Sequence, residues 1–281
     1  MAVPLQIRAG LLTLAGAAVL LGQADALQII RRAVAADERN WRVARQYTFS
    51  ECVEVRYLDS HGALKSREVS LRDVMLLDGS PYRRLVEIDG RPLKPADEKK
   101  EQGKLARITL ERQRESAMAR AQRMADYANR PEWQREAWRE LPVAFHFQLK
   151  SEEVLDGRRM YVIHATARPD YQPRTLTGKV LAHLEATLWV DQQDYRLAKA
   201  DAEVTDTIAV GLVLVRLAKG SRAILEQARV NDEVWLPRQI RTIASARIGL
   251  LKVLRIEQEF TYSKYRAVPA GLPVVSRIEA R

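Results

Sequence analysis

Apolar and polar residues change their rhythm along this chain, and each change predicts an element. Residues 27–46 place Ile29, Ile30, Ala33, Val34, Trp41 and Ala44 on one helical face and Arg31, Arg32, Asp37, Glu38 and Arg39 off it. That is the pattern of an amphipathic helix lying on a core. From Tyr47 the period becomes two, with Thr48, Ser50, Cys52, Val53, Val55 and Tyr57 marking a strand that ends in Asp59, Ser60, His61 and Gly62, residues that tolerate positive φ. Residues 64–77 and 81–88 follow as a second and a third strand, joined at Asp78-Gly79. Taken as a two-residue hairpin turn, that dipeptide sets Asp73 opposite Arg84 and Met75 opposite Tyr82, so a charge pair and an apolar pair both fall into register.

Residues 98–141 are rich in Lys, Glu, Gln, Arg and Ala with almost nothing β-branched, which predicts a helical insertion broken near Asn129, Arg130 and Pro131. Its Trp133 and Trp138 either clamp the second helix onto the sheet or form a lid or partner-contacting element. Strands resume at Pro142. Val143, Phe145, Phe147 and Leu149 alternate with His146 and Lys150, giving an apolar face that expects a helix or a cavity. A turn at Asp156-Gly157 sets His146 opposite Ala167 and His164 opposite Leu149, with the two imidazoles on opposite sides of the sheet. Further turns divide the remainder into strands of about ten residues, for about eleven strands in all linked by short hairpins. The prediction is a mainly β, antiparallel meander in one domain over 27–281, without an internal repeat.

One stretch breaks the alternation. Residues 208–217 (IAVGLVLVRL) are apolar on both faces, so as a single strand they need cover on both sides. Either the strand's concave side lines a greasy cavity, or it is an ordinary core strand. Val213, Val215 and Leu217 form the face that Arg216 does not interrupt.

The beginning of the chain has its own pattern. Arg8 precedes an apolar run over 9–22, followed by Ala24-Asp25-Ala26, which reads as a secretory signal peptide over 1–26 with cleavage after Ala26. The run of about 14 residues is short of the roughly 20 needed to span a bilayer. A formal net charge of +10 would suggest nucleic acid in a cytoplasmic protein. In an exported one it points to anionic membrane surfaces, acidic lipids or plain solubility, and no nucleic acid is expected. The basic residues are interspersed with 36 acidic ones, as on an ordinary solvated surface.

The supply of reactive groups is thin. Cys52 is the only cysteine, so no intramolecular disulfide can form, and the neighbouring Glu51 and Glu54 raise its pKa rather than activate it. His61 and His183 fall at a turn and a strand start, and Glu152-Glu153 diverge as strand neighbours. There is no Gly-x-Ser-x-Gly elbow, no His-Glu-x-x-His helix and no phosphate-binding glycine loop. A non-enzymatic protein without cofactor or metal is expected.

Helix, antiparallel strands and helical insertion together resemble the periplasmic lipoprotein carriers of the outer-membrane lipoprotein-sorting family, and in particular exported bacterial proteins named after it. The segments that carry the resemblance are Asp78 to Leu85 (DGSPYRRL), Gly90 to Leu93 (GRPL), Leu188 to Asp191 (LWVD) and Asn231 to Pro237 (NDEVWLP). The resemblance implies a half-open barrel whose concave apolar face, covered by helices, receives acyl chains of a lipoprotein or another lipid, carried as a monomer toward the outer membrane. The alternative is a cell-envelope module of the same fold whose concave face is filled by Phe145, Phe147, Trp189 and Trp235. Under the carrier reading, Val213, Val215, Leu217, Phe145, Phe147 and Trp189 are the lipid-contacting candidates.

Overall fold

The computed structural model describes residues 8–129, 131–210, 215–248 and 252–268. It opens with helix α1 (Arg8–Ala44), which runs without interruption through the predicted cleavage point. Strands β1 (Tyr47–Leu58), β2 (Leu64–Leu77), β3 (Ser80–Ile88) and the short β4 (Arg91–Pro92) follow. Helices α2 (Pro95–Gln113), α3 (Ala117–Ala128) and α4 (Glu132–Ala144) form the insertion. Then come β5 (Phe145–Leu155), β6 (Arg158–Ala167), α5 (Leu176–Leu181), β7 (Leu184–Asp191) and β8 (Leu197–Val204). The chain ends with β9 (Ile208–Val210), β10 (Val215–Leu217), β11 (Arg222–Val230), β12 (Val234–Ile248) and β13 (Lys252–Ala267).

Among the described residues the strands form one antiparallel sheet in the order β4-β3-β2-β1-β13-β12-β11-β8-β7-β6-β5, with β9 and β10 paired at the side of β12. Its two edges, β4 and β5, do not meet, so the sheet is an open half-barrel. Most neighbours are hairpin partners, as the turn spacing predicts. The exceptions are β8 with β11, β10 with β12, and β13, which inserts between β1 and β12 and joins the two ends of the sheet-forming chain, Tyr47 facing Ala267. The helical insertion carries the chain from the β3–β4 edge across to the β5 edge.

The Asp78-Gly79 turn forms as predicted, with φ of 44° and 83° at its two residues, a conformation that glycine adopts without strain. Asp73 faces Arg84 and Met75 faces Tyr82. The facing charges nevertheless take other partners: Ser50 Oγ donates to Asp73 at 2.7 Å, and Arg84 reaches Glu98 of α2 at 2.8 Å.

The second hairpin corrects the sequence reading. Its register holds from the turn as far as Ser151, which faces Val162, and then a bulge at Lys150 shifts every pair by one. His146 therefore faces Thr166, and His164 faces Gln148, which puts both imidazoles on the same side of the sheet rather than on opposite sides. The bulge has no local sequence signature. Residues 208–217 are corrected as well. They are not one strand but two, β9 and β10, paired so that Val210 faces Val215 and Ile208 faces Leu217.

The insertion begins earlier than 98, with Pro95 in the first helical turn, and is broken twice, at Arg114–Ser116 as well as at 129–131. Ser116 accepts the Ala119 N–H at 3.2 Å as an N-cap. Helix α4 extends through Pro142 to Ala144, so Val143 belongs to the helix and is 57% exposed, not to an apolar strand face. The two tryptophans of α4 divide the roles offered for them: Trp138 packs against the core, while Trp133 is 60% exposed.

Two motif segments that carry the family resemblance meet in one network. Asp191, 1% exposed, accepts a two-pronged bond from Arg158 at 2.6 and 2.8 Å and main-chain N–H groups of Gln193 and Asp194. Asp194 in turn accepts from Arg158 and from the Trp235 indole, each at 3.0 Å. Asn40 of α1 then pins Trp235 through both its main-chain groups, at 2.7 and 2.8 Å. These segments thus tie the β7–β8 turn, the start of β12 and helix α1 together.

Candidate functional site

A single row of paired residues crosses the sheet from β5 to β2: Phe147, Ala165, Ala186, Ala202, Ala223, Thr242, Gln258, Val55 and Glu68. Because side chains of facing residues share a side, this row defines the inner face, and it changes character from one end to the other.

At the β5–β8 end the face is filled. Ala26, Ile29, Ile30 and Ala33, one stripe of α1, pack on Phe145, Phe147, Ile163, Ala165, Leu188, Val190 and Leu197. Small residues at Ala26, Ala33 and Ala165 let helix and sheet approach closely, and Ala26, Ile163, Ala165 and Val190 are 0% exposed. The stripe ends in polar contacts. Asp37, which the helical pattern places off the apolar face, is buried and pairs with buried Arg196 at 2.8 Å. Phe145 and Phe147, 4% and 3% exposed, are therefore part of a packed core beneath a helix.

At the other end, over β13, β1, β2 and β3, the face is open. A groove of about 590 Å³ is floored by Val53, Val55, Leu85, Ile88 and Phe260. Its end nearer the Asp78-Gly79 turn carries Glu51, Arg72 and Arg83. Glu51 faces Arg72 across β1 and β2, and the Arg83 guanidinium lies 3.5 Å from the Glu51 carboxylate. Beyond them Tyr262 faces Glu51 and packs edge-on to Phe49, ring centroids 5.7 Å apart. Burial, and behind it the Glu51 charge, pushes the Tyr262 phenol up to about 12, so it remains a neutral donor at any physiological pH. The far end of the groove carries Glu68, Asp89 and Gln258.

The remaining candidates fall elsewhere. Val213 lies outside the described residues. Val215 faces Ile248 in the ladder, and Leu217, half-buried, faces Ala246 at the end of β12 farthest from the Val234 turn. Trp189 faces Val162 and Lys199 on the outer side of the sheet, where its indole donates to Glu153 at 3.0 Å and the Lys199 ammonium sits 5.3 Å above the ring. It is not an inner-face residue. The groove residues themselves escaped the sequence reading, although the alternation of Val53 and Val55 was visible. The missing link was β13, whose Phe260 and Gln258 come from more than 200 positions away.

The outer face carries charged pairs over β6 to β11, an apolar cluster of Met160, Ala198 and Trp235, and helix α2 against Tyr82 and Arg84 of β3. Its depression of about 360 Å³ is lined by His164, Glu185, Asp201 and Arg222 among others, and these groups pair with each other, His164 with Glu185 at 3.1 Å and Arg222 with Asp201. Among the described residues no group of three or more His, Cys, Asp or Glu side chains is placed to hold a metal ion. Cys52 is half-buried, and its thiol is pushed up first by burial, then by the charges of Glu54 and Glu87. The sequence neighbour Glu51 sits on the opposite face; Glu87 from β3 takes its place. No helix among the described residues is long and apolar enough to cross a membrane.

No family model matches the sequence, and no curated protein matches it. Among solved structures the chain is similar to a domain from Vibrio parahaemolyticus named for outer-membrane lipoprotein sorting, at 12% identity and a TM-score of 0.36 over 89% of this chain and 94% of that one. It is also similar to a DUF1329 family protein from Desulfovibrio piger, at 13% identity and a TM-score of 0.34 over 89% of this chain and 95% of that one. A LolA superfamily protein from Nitrosomonas europaea matches at 14% identity and a TM-score of 0.28, over 87% and 94% of the two chains. The structures that this chain is similar to thus include lipoprotein-sorting, DUF1329 and LolA-superfamily domains.

Proposed function

We propose that this chain is an exported, non-enzymatic binding protein that receives an apolar chain, such as the acyl chain of a lipid or lipoprotein, on the open part of its inner face, and carries it toward the outer membrane. The observation that supports this reading is the groove over β13, β1, β2 and β3, apolar at its floor and about 590 Å³ in volume. Small-molecule sites commonly span roughly 300–1,000 Å³. Each buried methylene contributes about 0.8 kcal/mol, so even a partly enclosed chain is held by several such increments. In this reading the acyl contacts are Val53, Val55, Leu85 and Phe260, with Leu217 farther along the same sheet, while Phe145 and Phe147 support α1 and Trp189 takes no part.

Export rests on Arg8, the apolar run over 9–22 and Ala24-x-Ala26. After cleavage at Ala26, helix α1 keeps Ile29, Ile30 and Ala33 on the core. N-terminal sequencing of the envelope protein is expected to begin at Leu27; a chain beginning at Met1 contradicts export by this route.

Titration with a fluorescent fatty-acyl probe tests the binding site. The parent protein is expected to bind, and Val55→Asp, which sets a carboxylate in the floor of the groove, to lose binding while keeping the parent's circular dichroism and melting behaviour. A parent that binds no probe, or a folded Val55→Asp that binds like the parent, overturns the proposal. The filled β5–β8 half of the face favours the envelope-module reading in that event.

A further inference from the structure

We infer that the groove selects an amphiphile with an anionic head, held by Arg72 and Arg83, with its apolar tail along Val53, Leu85 and Phe260; the inference rests on the acyl-binding reading above. The groove is polarised along its length. Arg72 and Arg83 stand at the end nearer the Asp78-Gly79 turn against a single carboxylate, Glu51, whereas Glu68 and Asp89 make the opposite end acidic. An amphiphile can therefore align in one direction only, head to the arginines and tail across the apolar middle.

The two arginines are also the right kind of group in the right state. Glu51 is largely buried, its side chain 8% exposed, and it engages Arg83 through Nε at 3.5 Å, while the Arg83 side chain remains 60% exposed. Arg72 is half-buried on the groove wall and has no hydrogen-bond or ion-pair partner among the described residues. In the ladder Arg72 faces Leu85, two residues from Arg83 on the same strand face, so the two guanidinium groups are diagonal neighbours, about 7–8 Å apart at their backbones. A guanidinium presents paired N–H donors that match the oxygens of a carboxylate or a phosphate. A half-buried Arg without a partner is poorly solvated and gains most from such an anion.

Dodecanoate, dodecyl phosphate, dodecanol and inorganic phosphate, titrated by calorimetry into the full protein, separate the possibilities. Dodecanoate and dodecyl phosphate are expected to bind at least about tenfold more tightly than dodecanol, as one charge-assisted hydrogen-bonded pair predicts. Inorganic phosphate alone is expected not to bind, which assigns the anion to a lipid head. In the Arg72→Gln, Arg83→Gln double variant the preference for the two anionic ligands over dodecanol is expected to vanish, with circular dichroism and melting matched to the parent as the check that the variant is folded. If the parent binds dodecanol as tightly as dodecanoate, or if the double variant keeps the preference, the head-group inference is wrong and the acyl-binding reading survives. If inorganic phosphate binds as tightly as dodecyl phosphate, the arginines form an anion site without a tail, which also overturns the inference. If no alkyl ligand binds, both readings fail.

Discussion

The two halves of the inner face are made of the same kind of strand in one continuous ladder, and they differ in what the facing positions carry. Over β5 to β8 those positions hold Phe147, Ile163, Ala165, Leu188 and Val190, and helix α1 seals them from water. Over β1 to β3 the equivalent positions hold Val53 and Val55 but also Glu51, Glu68, Arg72 and Arg83. A helix laid across that half would bury several charges with too few partners, at a cost of several kcal/mol for each. The charges therefore keep the second half uncovered. Alanines in one half admit a helix; arginines in the other exclude one and leave room for a ligand.

The largest expected contrast comes from truncating one ring in each half. Phe147→Ala in the sealed half should cost about 3–5 kcal/mol in urea unfolding, because the packed surroundings can collapse only in part. Phe260→Ala in the open half should cost about 1 kcal/mol, an ordinary value for a half-buried side chain, and its effect should be read in ligand affinity instead. Equal destabilisation by the two would mean that the groove is not open in solution.

The next effect concerns how α1 is fixed. Asp191→Asn should cost about 3 kcal/mol by leaving Arg158 beside a neutral partner in a largely buried network. Burial alone would raise the Asp191 carboxyl, but the Arg158 bond, the Asp194 and Gln193 main-chain donors and the Arg158 charge outweigh it and hold the group below the usual carboxylate range. A depressed folded pKa contributes stability that is fully present above the unfolded value, about 3.9 for Asp, and is lost as pH falls through the folded value. Parent and Asp191→Asn should thus differ in stability at pH 7 and converge as the pH is taken below about 4. A gap that persists unchanged at pH 2 to 3 would show that the carboxylate charge is not what fastens the network.

The smallest effect is expected on the outer face. Arg222→Ala removes a pair whose arginine is 46% exposed, and should change stability by less than about 0.5 kcal/mol with no effect on ligand binding. A loss of binding would move the site to the outside of the sheet.

The sequence made local features legible and left distant ones hidden. The Asp78-Gly79 hairpin and its register follow from two residues that accept positive φ, and the amphipathic part of α1 follows from its spacing. The bulge at Lys150 and the pairing of β9 with β10 depend on how the sheet bends and which strands adjoin, and no short pattern encodes them. Asp37 looked like a surface residue because its partner Arg196 lies 159 positions away. For the same reason periodicity shows that Phe145 and Phe147 share an apolar face, not that α1 packs on it. The open groove became visible only when β13 came to lie beside β1.

The central claim is that the uncovered half of the face, and not the sealed half, holds the apolar chain. Methyl-labelled protein bound to dodecanoate tests it directly by NMR, through nuclear Overhauser contacts between the alkyl protons and protein methyl groups. Contacts to Val53, Val55 and Leu85, with none to Ile163, Leu188 or Val190, are the expected result. Contacts to Ile163 and Val190 instead, or dodecanoate that shows no contact with any methyl of the inner face, would contradict it.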